Sequence, residues 1–112
     1  MKQFTIYHNP RCSKSRQTLE LLQAQGINPT VVEYLKSPLT LEQLRKLSSH
    51  FALKDFVRAN EPVFKSLGLS LEEKDKVLQA MAKEPILMQR PIVTTNGKAV
   101  IARPPEKVLE IL

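Results

Sequence analysis

Short apolar segments separated by polar turns predict the first three elements of the chain. Residues 4–7 alternate in polarity and consist of strand formers, and the segment stops at Asn9-Pro10, which predicts a first strand. Residues 31–34 have the same character and predict a second strand. Between the two strands, small and apolar residues recur at helical spacing up to a helix-stopping glycine: Ser15, Leu19, Leu22 and Gly26. A strand, a helix and a strand within about 30 residues predict a right-handed βαβ unit with parallel strands.

The middle of the chain predicts helices. Thr40 followed by Gln43 fits a capping box at the start of an amphipathic helix, and Ser70 followed by Glu73 fits a second capping box. Between these two helices, residues 51–67 predict shorter helices that are broken around Asn60 and Gly68.

Beyond Pro85 the pattern changes to strands. Residues 92–94 and 99–101 flank Asn96-Gly97, the pair that favours a type I′ hairpin turn because both central residues need positive φ. Pro104-Pro105 then predicts the start of a final helix. The order β-α-β, helical insert, β-β, α predicts a thioredoxin-like α/β fold, a small mixed sheet covered by helices. We expect one such domain over all 112 residues, 1–112.

Composition and charge narrow the function classes. Apolar residues make up 42% and charged residues 25%, an ordinary globular composition. Neither a signal peptide nor a membrane-spanning run of roughly 20 apolar residues is recognisable, so we expect a cytoplasmic protein without a membrane partner. The formal charge of +6 favours anionic partners. Because the basic residues are scattered and only 5% of residues are aromatic, nucleic acid is not the expected partner.

The single cysteine, Cys12, stands where the first predicted strand gives way to the first helix. Its neighbours are polar and largely cationic, HNPRCSKSR over residues 8–16. Backbone N–H groups and the positive end of the helix dipole converge at such a position, and both favour a thiolate and an incoming anion. The alternative role of a free cysteine is a small buried hydrophobe, and the polar neighbours argue against it.

Position 15 determines how an adduct on Cys12 is resolved. A Cys-x-x-Cys motif would carry its second thiol there, whereas this chain has Ser15. Since the chain has no other cysteine, a thiol from outside must attack any adduct or mixed disulfide. Two roles stay open for Ser15: a hydrogen-bond donor to the thiolate, or a small residue on the inner face of the helix.

Three segments carry a resemblance to a known family. HNPRCSKSRQTLELL resembles the active-site stretch of the glutaredoxin-dependent arsenate reductases, the ArsC family, which have a thioredoxin-like fold. FVRANEPVFKSLGL is similar to the central helical segment of that family. KEPILMQRPIVTTNGKAVIARPPEKVLEIL is similar to its C-terminal strands and helix. The segments follow in the same order and at matching spacing, so the resemblance covers nearly the whole chain.

The resemblance implies a set of site residues. It makes Cys12 the nucleophile and Arg58, Arg90 and Arg103 the arginines that hold the oxyanion. Guanidinium groups suit this role because they are permanently charged and bidentate towards tetrahedral oxyanions. The alternative for each arginine is a solvated surface position. The resemblance also implies a cis peptide bond before Pro91.

Other polar residues near the cysteine have two interpretations each. His8 matches a family histidine that tunes the thiol or the loop, and a structural histidine is the alternative. Arg16 either binds the anion or pairs with Glu20 at i,i+4 spacing. No cluster of His, Asp or Glu predicts a metal site, and no bound cofactor is expected.

The chain departs from the family directly after the cysteine. Arsenate reductases usually have Gly-Thr there, and this chain has Ser13-Lys14, a variant that resembles the loop of a subgroup of arsenate-reductase-like proteins. Because glycine lets backbone N–H groups approach an anion closely, we expect the substitution to alter the anion site.

The resemblance implies that the chain reduces arsenate to arsenite. In that scheme Cys12 forms a covalent adduct with arsenate, glutathione attacks the adduct, and glutaredoxin reduces the mixed disulfide. Two alternatives stay open. One is a glutathione-dependent thiol reductase with another substrate. The other is an Spx-type transcription regulator that binds RNA polymerase; these regulators share the fold family and usually carry Cys-x-x-Cys, so Ser15 argues against a disulfide switch.

Overall fold

The computed structural model describes residues 3–112, which form two compact units. Of the described residues, the first unit combines 3–37 with Arg90–Leu112, and the second is Pro38–Gln89. The prediction that residues 1–112 act as one domain stays a prediction. Within the described part of the chain, no helix has the length and apolar character needed to cross a membrane.

The first unit is built on a four-stranded mixed sheet. Its strands are β1 (Phe4–His8), β2 (Thr30–Glu33), β3 (Ile92–Thr95) and β4 (Lys98–Ile101), in the order β2-β1-β3-β4. β1 and β2 are parallel, whereas β3 is antiparallel to both β1 and β4. The predicted βαβ unit, the hairpin and the thioredoxin-like α/β class are therefore confirmed.

The end of β2 differs slightly from the prediction. β2 ends at Glu33, and Tyr34 already belongs to a turn. The carbonyl of Glu33 accepts hydrogen bonds from the N–H groups of Lys36 (3.0 Å) and Ser37 (2.9 Å), so the chain turns directly after Glu33.

Two helices complete the core of the first unit. α1 (Ser13–Ala24) runs from the cysteine to the turn at Gly26, where φ is +77°, as the sequence predicts. The final helix begins at Pro105 as expected, but it is a 3₁₀ helix, Pro105–Ile111. The two helices contact each other. The core joins alternate residues of the sheet to the inner faces of both helices: Phe4, Ile6, Leu22, Val93, Val100, Ala102, Val108 and Ile111.

The hairpin turn confirms the prediction made from its two central residues. Asn96 has φ 46° and Gly97 has φ 75°, the left-handed conformations that a type I′ turn requires. The pairing of β3 with β4 therefore follows from local sequence.

The second unit is helical. It contains α2 (Leu41–Ser48), α3 (Leu53–Phe56), α4 (Pro62–Ser66), α5 (Lys74–Lys83) and a short 3₁₀ helix, Pro85–Leu87. α2 packs against α5. The two short helices α3 and α4 agree with the breaks predicted around Asn60 and Gly68.

One predicted capping box is confirmed and the other is wrong. Thr40 Oγ1 accepts from the Gln43 N–H at 3.2 Å, and Gln43 Oε1 accepts from the Thr40 N–H at 2.9 Å. At the second site, Ser70 Oγ accepts from the N–H of Glu72, and the Ser70 carbonyl accepts from the N–H of Glu73. Serine closes its own local turn, so the helix begins four residues later, at Lys74.

Candidate active site

Cys12 occupies the junction between β1 and α1. It is the N-cap residue of α1, with extended backbone (φ −93°, ψ 121°), and its side chain is half-buried. Its N–H donates to the Asn9 carbonyl at 3.0 Å, and its own carbonyl accepts from the Arg16 N–H at 3.0 Å. The side chain of Cys12 makes no capping hydrogen bond. The N–H groups of the first turn of α1 are thus left without a side-chain cap.

The surroundings of Cys12 favour its thiolate. Partial burial is the largest single influence on the thiol and raises its pKa. The backbone N–H of Ser15, the charge of Arg90, the backbone N–H of Lys14 and the charge of Arg103 act in the opposite direction and together outweigh burial. The pKa of Cys12 is therefore lowered from its ordinary value of 9.0. This result supports a reactive thiol and argues against a role as a buried hydrophobe.

Ser15 and His8 form a buried pair beneath the loop. Ser15 Oγ lies 2.6 Å from His8 Nδ1 and accepts the N–H of Asn9 at 3.0 Å. Burial lowers the pKa of His8, an effect that Arg16 reinforces and Glu33 opposes. A neutral His8 can accept a hydrogen bond from the hydroxyl of Ser15 at Nδ1. The hydroxyl of Ser15 is therefore used by His8 and Asn9, and the residue supports the thiolate through its backbone N–H.

Asn9 and Arg16 position the loop, a role that the pattern of the sequence does not predict for either residue. Asn9 Oδ1 accepts from the N–H of Arg11 at 3.0 Å, and Arg16 Nη1 donates to the carbonyl of Pro10 at 2.8 Å. Of the two roles considered for Arg16, neither anion binding nor a pair with Glu20 describes this contact. The Asn-Pro pair was the available signal, because Asn side chains commonly close turns on their own backbone.

Arg90 and Arg103 are brought together at the sheet. Arg103 Nη1 donates to the carbonyl of Arg90 at 3.2 Å, and both guanidinium charges act on Cys12. Arg90 is half-buried and Arg103 is exposed. The peptide bond between Arg90 and Pro91 is cis, as the resemblance implied, and the bond between Arg103 and Pro104 is also cis.

Arg58 lies in the second unit. It pairs with Glu61 at 2.5 Å, and both side chains are largely buried. Its N–H donates to the carbonyl of Leu87 at 2.7 Å. These contacts hold Arg58 in a defined position, and its part in an oxyanion site stays a prediction.

Ser13 and Lys14 form the first turn of α1 and are exposed. Within residues 3–112, Asn96 is the one residue other than glycine with positive φ, so Ser13 has a backbone that any residue adopts. In this helical conformation the N–H of Lys14 lowers the pKa of the thiol. Ser13 thus fits the backbone of this first turn, and Lys14 adds an exposed basic side chain next to it.

The fold and the site together define a class of protein. A thioredoxin-like fold carries a thiol of lowered pKa at a helix N-terminus, beside two guanidinium groups. Such a site suits covalent attack on an anionic centre, with backbone donors and arginines that stabilise the developing charge.

Comparison with known proteins identifies the family. The model of the ArsC family matches residues 7–111, so the chain belongs to the ArsC family. It is 50% identical to the Escherichia coli protein YfgD, which is described as uncharacterized, over 99% of this chain and 98% of that protein. It is 40% identical to an arsenate reductase of Neisseria meningitidis over the full length of both chains. Among solved structures, an arsenate reductase from Vibrio cholerae matches with a TM-score of 0.91 and 45% identity, over 98% of each chain.

Proposed function

We propose that the chain reduces arsenate to arsenite through a covalent adduct on Cys12, with electrons from external thiols. The observation that carries the proposal is the position of Cys12 at the N-cap of α1, where backbone N–H groups and the charges of Arg90 and Arg103 lower the pKa of its thiol. Arsenate reductases that match the chain over its full length support the same substrate.

The reaction balances in three steps. The Cys12 thiolate attacks arsenic(V). A sulfur–arsenic bond forms, an arsenic–oxygen bond breaks, and the departing hydroxyl takes a proton from the solvent and leaves as water. A thiolate from outside then attacks the Cys12 sulfur. The sulfur–arsenic bond breaks with its electron pair on arsenic, which leaves as arsenite, and a mixed disulfide remains. A second thiol reduces this disulfide and returns Cys12, so two thiols are oxidised for each arsenic(V) reduced.

The site residues have separate parts in this scheme. The N–H groups of Lys14 and Ser15 favour the attacking thiolate, and the guanidinium groups of Arg90 and Arg103 hold the oxyanion and stabilise charge on the departing oxygen. The resemblance to the family implies the same role for the guanidinium group of Arg58. His8 and Ser15 keep the loop in place beneath the thiol.

Glutathione is the proposed external thiol, and glutaredoxin the proposed reductant of the mixed disulfide. The reason lies in the chain itself: Cys12 is its single cysteine, so a second thiol must come from another molecule. A cysteine without a resolving partner favours a soluble thiol over an internal disulfide relay.

The test is arsenate-dependent NADPH oxidation, coupled through glutathione, glutaredoxin and glutathione reductase. We expect turnover with the wild type and a loss of about 10³-fold or more with Cys12→Ser, because the covalent step is removed. Lys98→Gln, on the exposed end of β4, is the matched control and should keep its turnover. Equal turnover in Cys12→Ser and wild type, or none in the wild type, would contradict the proposal.

A further inference from the structure

A pocket of about 240 Å³ opens beside the active-site loop. It is lined by the last residues of the two strands, His8 of β1 and Glu33 of β2, and by the residues that come after them, 9–11, Leu35 and Lys36. We name it the β1–β2 pocket. β1 and β2 are parallel, and ligands of open α/β sheets bind outside the carboxyl ends of such strands. Two residues in the wall of the pocket are tied to the nucleophile: Arg11 directly precedes Cys12 in the chain, and the carbonyl of Asn9 accepts the N–H of Cys12 at 3.0 Å.

The walls of the β1–β2 pocket are held by hydrogen bonds of the protein itself. On one side, the side chain of Asn9 accepts the N–H of Arg11 at 3.0 Å. On the other side, the carbonyl of Glu33 accepts the N–H groups of Lys36 and Ser37 at 3.0 and 2.9 Å. His8 and Glu33 are register partners in the sheet and join the two sides. The pocket is therefore formed before any ligand arrives, as small-molecule sites usually are.

The pocket carries both signs of charge. Arg11 and Lys36 are cationic, and Glu33 is anionic. Lys36 and Glu33 lie 3.6 Å apart with side chains that are 79% and 41% exposed, so their ion pair is weak and either group can turn to a ligand. Leu35 and Pro10 add apolar surface. A free α-amino-acid group presents a carboxylate, an ammonium group and methylene carbons, which match these three kinds of wall.

We propose that the β1–β2 pocket binds the γ-glutamyl end of glutathione, the thiol that resolves the Cys12 adduct. The α-carboxylate contacts Lys36 and Arg11, and the α-ammonium group contacts Glu33. This inference rests on the proposed function, because it names the site of that thiol.

The sheet order places the two substrates on different sides of β1. β2 and the pocket lie on one side of β1, and Arg90 leads into β3 on the other side. Arsenate thus reaches Cys12 from the side of the arginines, and the thiol reaches it from the β1–β2 pocket. The carboxylate of Glu33 also disfavours a second arsenate in the pocket, since like charges repel.

A groove between α1 and the final 3₁₀ helix fits this role less well. Its charged walls are the carboxylates of Glu20 and Glu106, and it includes no residue of the active-site loop. It therefore lacks both a cation for the α-carboxylate and access to Cys12.

The kinetic test compares Glu33→Gln and Lys36→Gln with the control Lys98→Gln. We expect the KM for glutathione to rise about threefold in each pocket variant, the effect of one exposed charge contact, with the KM for arsenate unchanged. With cysteinylglycine, which lacks the γ-glutamyl group, the pocket variants and the wild type should have equal KM values. A KM for glutathione that changes no more in Lys36→Gln than in Lys98→Gln would overturn the proposal.

A binding test separates the pocket from the proposed function. S-methylglutathione cannot react, so its binding to the wild type is followed by NMR chemical shifts without turnover. Shifts at residues 9–11 and 33–36 are expected, and S-methyl-cysteinylglycine should leave them unchanged. If the wild type shows these shifts but reduces no arsenate, the proposed function fails and the pocket stands. If arsenate is reduced but the shifts are absent or lie elsewhere, the pocket is wrong and the proposed function stands.

Discussion

The N-termini of α1 and α2 differ in how their unpaired backbone N–H groups are used. Each helix starts with backbone N–H groups that have no partner within the helix. In α2, Thr40 and Gln43 form a reciprocal capping box that satisfies two of them. In α1, the N-cap residue is Cys12, which makes no side-chain capping hydrogen bond. The N–H groups of Lys14 and Ser15 instead favour the thiolate of Cys12.

The comparison separates a stabilising helix end from a functional one. A side-chain oxygen at the N-cap typically contributes about 1 kcal/mol to stability. α1 forgoes that contribution, and its N–H groups and dipole lower the pKa of a nucleophile instead. The N-cap position of α1 thus supports the reactivity of a thiol, whereas the N-cap position of α2 stabilises its helix through the capping box.

The largest effect is expected when either of the two arginine charges that act on Cys12, at the N-terminus of α1, is removed. Arg90→Gln should raise the pKa of Cys12, and Arg103→Gln should raise it less, because Arg90 is the stronger of the two charges on the thiol. We expect arsenate turnover to fall about 10²-fold in Arg90→Gln, since an oxyanion-stabilising donor is lost. The rate of iodoacetamide alkylation against pH measures the thiol directly, with Lys98→Gln as control. An unchanged alkylation profile in both variants would show that the arginines do not act on Cys12.

Substitutions at the two N-cap positions test the comparison through the free energy of unfolding. Thr40→Ala should lower the free energy of unfolding by about 1 kcal/mol and leave the turnover of folded protein unchanged. Cys12→Ser should act in the opposite direction and stabilise by about 0.5 kcal/mol at low pH, because serine can cap the N–H of Lys14 or Ser15. Urea unfolding measures both changes. A loss of stability in Cys12→Ser would contradict the view that α1 forgoes a cap.

The smallest effect is expected from His8, which supports the loop that precedes α1. The pKa of His8 is lowered in the folded protein from its ordinary value of 6.5, so the unfolded chain binds more protons between the two values. The stabilising contribution of neutral His8 is present above pH 6.5 and is lost as pH falls through the folded pKa. Wild type should therefore lose more stability than His8→Gln between pH 7.5 and pH 5. Urea unfolding at both pH values, with His50→Gln as the control, tests this; equal losses in wild type and His8→Gln would refute it.

Local patterns in the sequence were sufficient for most elements. Asn96-Gly97 predicts its turn because positive φ is a property of those two residues, and Thr40 with Gln43 predicts a cap because both partners lie within one turn. Ser70 with Glu73 has the same spacing, yet the structure forms a local turn there. A short motif offers the backbone two hydrogen-bonding solutions, and spacing alone does not choose between them.

Some features of the candidate active site follow from the sequence, and others follow only from the tertiary structure. By itself the sequence determined that the single cysteine stands between a strand and a helix, among cations, and that its adduct needs an external thiol. The tertiary structure alone decided that Ser15 turns its hydroxyl to His8 and that Arg16 holds the carbonyl of Pro10. It also decided that Arg90 and Arg103 act together on Cys12. The physical reason is range: caps and turns join residues a few positions apart, whereas these arginines reach the thiol only once β3 has paired beside β1.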